Sequence, residues 1–240
     1  MGGRIDLYID IASLYSYIAF VQVVQNHDIL KQHNVEVDIH PVLLGAINAG
    51  SGNQPPWVLP AKRAHSAHDS RRSLRAAGLH SVSPPGDLFL AGRTQVPLRA
   101  LHHIKRHSAR GVYVCAWRAL FHAFWTAHRP PNDGEALAAA LSAGVGEDGD
   151  GSLFAPEEVA RIVQAAAEPA YKDALRDATQ MALDRGAFGA PWLWVTDSAT
   201  GKAEPFFGSD RWHHVYEFLG LPYQDVALLS PGERGPKSKI

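Results

Sequence analysis

Residues 4–40 constrain this chain most: they read as strand, helix, strand, with nothing else between. Arg4-Ile5-Asp6-Leu7-Tyr8-Ile9-Asp10 alternates in polarity and is rich in strand formers. After a break at Ile11-Ala12-Ser13-Leu14, the stretch from Tyr15 to about Lys31 places Tyr17, Ile18, Phe20, Val21, Val24 and Leu30 on one helical stripe. Val35 to His40 alternates again. A helix between two strands makes the strands parallel with a right-handed crossover. Whatever follows must build on that pair.

The remainder has the opposite character at first. Residues 45–60, rich in Gly, Asn, Ser and Pro, read as a long functional loop. From Ala61 to about Arg185 the pattern is helical, with segments at 100–127, 135–143, 156–167 and 169–185. Strand character returns at Trp192 to Val195 and at Pro205-Phe206-Phe207, on either side of a turn, which predicts a hairpin. A last helix is expected from Ser209 to about Leu219, with Ser209 as its N-cap. The order β-α-β, helical insertion, β-β-α is that of an α/β protein, a thioredoxin fold with an inserted all-helical domain. The expected division is 1–62 and 186–225 for the thioredoxin-like part, 63–185 for the insertion and 226–240 for a tail.

A net charge of −1 gives no global field favouring nucleic acid or an anionic membrane. No run approaches the roughly 18–20 apolar residues that cross a bilayer. Cys115 stands alone, so neither an internal disulfide nor a two-thiol redox motif is available, and its apolar neighbours predict a buried hydrophobe. The histidines show no metal-ligand spacing, so no metal is expected, and solvated or locally bonded imidazoles are the reading. The start of the chain carries no secretory or myristoylation signal. Its end, Ser238-Lys239-Ile240, is close to the Ser-Lys-Leu peroxisomal address. The expected location is intracellular: peroxisomal if that tail is read, cytoplasmic or mitochondrial otherwise.

Four short stretches can carry chemistry. Ser13-Leu14-Tyr15-Ser16 follows the first strand, where thioredoxin-fold oxidoreductases hold Cys-x-x-Cys. With serine at both ends the chain cannot do dithiol chemistry. A helix start with a hydroxyl still stabilises a thiolate that a ligand brings in; the competing reading of Ser13 is a plain helix cap. Gly186-Ala187-Phe188-Gly189-Ala190-Pro191 puts proline directly before a strand, where thioredoxin folds hold a cis-proline facing the active-site helix; a trans turn competes. In Phe207-Gly208-Ser209-Asp210-Arg211, Ser209 at a helix start suits a carboxylate and Asp210 an ammonium, with simple capping as the alternative. In Ser51-Gly52-Asn53-Gln54-Pro55-Pro56 and the following Lys62, Asn53 suits a peptide end and Lys62 a carboxylate; a solvated loop is the alternative.

Taken in register, these stretches resemble the kappa-class glutathione transferases over nearly the whole chain. The resemblance implies a DsbA-like fold, glutathione as cosubstrate and a homodimer. It implies that Ser13, with Leu14 and Tyr15 beside it, bonds the glutathione sulfur. It further implies that Ala190 beside cis-Pro191 bonds the cysteinyl backbone, that Ser209 and Asp210 hold the γ-glutamyl end, that Asn53 contacts the peptide, and that Lys62 matches by position. Leu14 replaces the family's usual proline and Ala190 a common leucine, which predicts a roomier electrophile pocket lined by Trp57, Trp192 and Trp194. Two other functions compete with transfer. One is a glutathione-dependent isomerase similar to 2-hydroxychromene-2-carboxylate isomerase, which the serine in Gly208-Ser209-Asp210-Arg211 disfavours. The other is a non-catalytic glutathione-binding module.

Overall fold

The computed structural model describes residues 2–146, 149 and 151–224; the tail Ser238-Lys239-Ile240 lies outside the described residues. Strand β1 (Gly3–Ile9) pairs in parallel with β2 (Val35–Pro41), with Ile5 opposite Val37. On its other side β1 pairs antiparallel with β3 (Trp192–Asp197), which forms a hairpin with β4 (Ala203–Phe207). The sheet order is β2-β1-β3-β4. The crossover helix α1 runs Leu14–Gln32.

Between β2 and β3 lie α2 (Leu44–Ser51), a 3-10 turn (Pro56–Val58), α3 (Pro60–Ala76), α4 (Leu88–Ala91), α5 (Gln95–His107), α6 (Arg110–Trp125), α7 (Gly134–Ser142), α8 (Pro156–Ala165) and α9 (Pro169–Asp184). The chain closes with α10 (Trp212–Phe218). Three expectations change. The long loop starts as a helix, because Ala46, Ile47 and Ala49 suit one and Ile47 is buried beneath it; a left-handed Gly52 ends it. The single run 100–127 is two helices, parted where Ser108 is extended. The last helix begins at Trp212 rather than Ser209, with Arg211 at the cap position.

Strand alternation divides the sheet. Ile5, Leu7, Ile9, Val37 and Leu193 join α1, α5, α6, α7 and α8 in one continuous core around Phe20, Trp117 and Phe121. Sheet and insertion therefore share a core, and the expected boundary at 62–63 falls inside α3. The opposite sheet face buries Tyr8 and Trp192 against Ile47 of α2 and Ala182 of α9.

That second face also carries charge. Asp6, 5% exposed, meets Arg4, His40 and Arg185, while Asp38 meets Arg4 and Lys105. Burial pushes the Asp6 carboxyl up, but hydrogen bonds and charges from His40, Arg185 and Arg4 outweigh it and hold the group well below the usual carboxylate range. Asp6, Asp38 and His40 have ligand atoms within 4.8 Å of one another, a spacing that suits a metal. Here the surrounding cations already balance the acids.

Candidate functional site

The site starts at the end of β1. The turn closes with the Ser13 N–H donating to the Asp10 carbonyl at 3.1 Å, and α1 begins one residue later. Ser13 is extended, and its Oγ accepts the Ser16 N–H at 3.1 Å, a helix cap. The same hydroxyl donates to the Ala190 carbonyl at 2.9 Å and is only 7% exposed. No acidic residue occupies the first turn of α1, so nothing there cancels the positive end of a helix of 19 residues. Capping and donation are thus compatible: the oxygen accepts one hydrogen and gives another.

Across from Ser13 the Ala190–Pro191 peptide is cis, as expected. The Pro191 carbonyl accepts the Gly208 N–H at 3.2 Å, which brings the turn after β4 alongside. Gly208 has φ +100°, a conformation L side chains avoid, and an added Cβ would stand 2.9 Å from Asp210 Oδ1. Ser209 is buried in this turn at 4% exposure. Because α10 starts three residues later, Ser209 is not its cap, and a carboxylate here gains the hydroxyl without the helix end. Asp210 is exposed and pairs with Arg211 at 2.8 Å.

Asn53 reaches the same place from α2. Its Nδ2 donates to the Phe188 carbonyl at 2.6 Å and its Oδ1 accepts the Gln54 N–H. Gly189 lies between them, and a Cβ there would stand 2.9 Å from the Phe207 ring, which would have to shift. Tyr15, second residue of α1, donates its hydroxyl to Asp69 of α3. Burial, then that carboxylate, raises the Tyr15 phenol far above its ordinary value, and the charge of Asp210 adds to the effect. Lys62 is exposed in the first turn of α3. It lies seven residues, about 10 Å, before Asp69 on the same helical face. Leu14 opens α1 and packs partly against the main core, so the helix entry forms without proline.

Two of the tryptophans are a correction. Trp192 is 4% exposed and fills the second core; Trp194 is half-buried with the Arg185 guanidinium 5.3 Å over its ring. Trp57 falls in the 3-10 turn, with its side chain outside the described part. The exposed aromatics beside the cis-proline are Phe188 and Phe207, each 42% exposed, with rings 4.5 Å apart. The histidine expectation also needs revising. His102 bonds the Pro41 carbonyl across 61 residues at 3.0 Å, and burial lowers its pKa to about 4. Cys115 is buried, as expected. It lines a hollow of about 890 Å³ between α6 and α7, with Arg118, His122 and Ala140, and none of the residues expected in the site lines it.

Residues 4–220 match the family model of the DSBA-like thioredoxin domain. Glutathione S-transferase kappa 1 of Caenorhabditis elegans is 30% identical over 91% of this chain and 92% of its own length. The chain belongs to the kappa glutathione S-transferase family. The human kappa 1 protein is 26% identical over 90% of each chain. Among solved structures, 2-hydroxychromene-2-carboxylate isomerase superposes with a TM-score of 0.68 at 18% identity, covering 90% of this chain and 94% of that one, a likeness of fold. This kappa-family chain thus keeps the DsbA-like frame with serine where the oxidoreductases have cysteine. Asp69, Phe188 and Phe207 are the site neighbours that sequence reasoning missed. Asp69 sits in a polar helix and gives no local signal. The two phenylalanines stood inside the singled-out stretches around Pro191 and Ser209, but nothing local said that their rings would meet.

Proposed function

We propose that this chain is a glutathione transferase that holds the glutathione sulfur as a thiolate at Ser13 and presents it to small hydrophobic electrophiles. The observation that carries the reading is the Ser13 hydroxyl, capped onto α1 and aimed at the carbonyl before cis-Pro191. A bound thiolate takes over the proton now shared with Ala190, so the hydroxyl exchanges one acceptor for a charged one. Hydrogen bonds to charged groups are worth roughly 1.5–3 kcal/mol against about 0.5–1.5 for neutral ones. With the helix end adding roughly 0.3–1 kcal/mol, the net lowers a thiol pKa from about 8.5 by roughly one to two units. At pH 7 that raises the ionised share of the bound thiol from a few per cent to roughly a quarter for one unit and roughly three quarters for two. The thiolate then attacks an electrophilic carbon, forming a C–S bond while a leaving group or a conjugated π-system takes the electron pair. Ala190, Asn53 and Lys62 suit the peptide, and Ser209 and Asp210 suit the γ-glutamyl end. Phe188 and Phe207 offer an apolar surface to the electrophile.

Conjugation of 1-chloro-2,4-dinitrobenzene that requires glutathione tests the reading. Turnover of a chromene carboxylate alone would favour the isomerase, and binding without either activity a non-catalytic module. The finer features follow from the same family reading: a homodimer, checked by sedimentation, a detoxifying role, and peroxisomal import through Ser238-Lys239-Ile240, checked by deleting those residues from a fluorescent fusion.

A further inference from the structure

The Asp10 carboxylate, 1% exposed, lies directly under the Ser13 turn and accepts hydrogen bonds from three separate elements. Oδ1 takes the Ala12 N–H of the turn itself at 3.0 Å and the Thr94 hydroxyl at 2.7 Å; Oδ2 takes the Leu44 N–H at 2.7 Å. Two of these donors belong to helix starts that their own residues leave uncapped. Leu44 opens α2, whose cap residue Leu43 has no side-chain acceptor, and Thr94 stands at the cap of α5 without capping it. A threonine at that position ordinarily turns its oxygen to its own helix; here it donates to Asp10 and is itself fully buried. One carboxylate therefore ties the Ser13 turn to α2, which runs straight into Asn53, and to α5 of the insertion.

We propose that Asp10 is the positioning residue of the glutathione site, holding Ser13 and Asn53 in register through these three bonds. The assignment rests on the glutathione reading above. Asp10 touches no reacting atom; it acts through Ala12 and α2. Its hold depends on charge, because a protonated carboxyl is a weaker acceptor for the Ala12 and Leu44 N–H groups, and its own proton forces the Thr94 hydroxyl to reverse or give way. Burial raises the Asp10 carboxyl to about 6 although its hydrogen bonds oppose the rise. Of the charged and titratable groups on the surrounding elements, His40 is engaged with Asp6, His102 with the Pro41 carbonyl, Lys105 with Asp38 and Tyr15 with Asp69, while on α5 Arg99 Nε and His103 Nδ1 are buried without a hydrogen-bond partner among the described residues. α2 carries no titratable side chain, and Arg93 beside Thr94 is exposed.

The test uses S-methylglutathione, which has no thiol to titrate, with affinity measured by calorimetry between pH 5 and 7.5. Wild-type affinity should fall about tenfold from pH 7 to pH 5 as the ionised fraction falls. The carbon-13 shift of the Asp10 carboxyl should titrate over the same range. Thr94→Val removes one donor from the carboxylate and should move both curves up by about one pH unit; Thr94→Ser should restore them. If Thr94→Val does not fold, the coincidence of the two wild-type curves still decides. A carboxyl that titrates apart from the affinity change, or a Thr94→Val profile that does not move, overturns the assignment while leaving the glutathione reading intact. No binding at pH 7 overturns both.

Discussion

At Ser13 one oxygen caps the helix and also carries the hydrogen that the proposed thiolate would accept, so substitution there has two separable effects. Ser13→Ala should cost about 1 kcal/mol of stability through the lost cap. It should also raise the pKa of bound glutathione by about one unit or more, since the charged hydrogen bond is gone. Thiolate absorbance followed against pH checks the second effect, and an unshifted curve would remove Ser13 from the role. Asp210 behaves differently. Its present partner Arg211 is a surface ion pair worth little, so an ammonium displaces it at small cost. Asp210→Ala should weaken glutathione affinity several-fold while leaving turnover of the saturated enzyme nearly unchanged; calorimetry beside steady-state kinetics separates the two.

Among the elements, α1 and α6 join the site to the insertion. Phe121 of α6 is fully buried and stacks on Tyr17 of α1 with ring centres 4.5 Å apart, and Trp125 donates its indole N–H to the Ile11 carbonyl at 2.7 Å. The insertion therefore props the active-site turn directly. Phe121→Ala should cost roughly 3–5 kcal/mol. Because the core is continuous, urea unfolding followed by far-ultraviolet and tryptophan signals should stay a single coincident transition. Two separated transitions would mean that the insertion folds as a unit of its own.

Over the whole molecule, acid acts on stability through groups that oppose one another. His102 is held neutral, its pKa lowered from 6.5 to about 4, so it contributes stability above 6.5 that is lost as pH falls toward 4. Asp10 is raised from 3.8 to about 6, so its contribution is present below 3.8 and lost as pH rises toward 6. Each amounts to at most about 3 kcal/mol, and between pH 4 and 6.5 they nearly cancel. Below that window Asp6, held low by its cations, loses its ion pairs and the protein should destabilise steeply. His102→Gln should unmask the Asp10 contribution: urea midpoints should rise from pH 6.5 to 4, where the wild type stays level. Local pattern was enough for the strands, the crossover helix, the hairpin, Ser13 and the proline turn, because alternation, helical stripes and turn residues act over a few positions. It misjudged α2, the start of α10, His102, Trp192 and Trp194, whose surroundings are assembled from distant segments. Tertiary structure alone decided that the Ser13 proton meets the Ala190 carbonyl 177 residues away, that Tyr15 finds Asp69, and that Asp10 caps α2 and takes the Thr94 hydroxyl at the start of α5. Each is a directional bond between groups far apart in the chain, and periodicity carries no information about which distant partner a donor will meet.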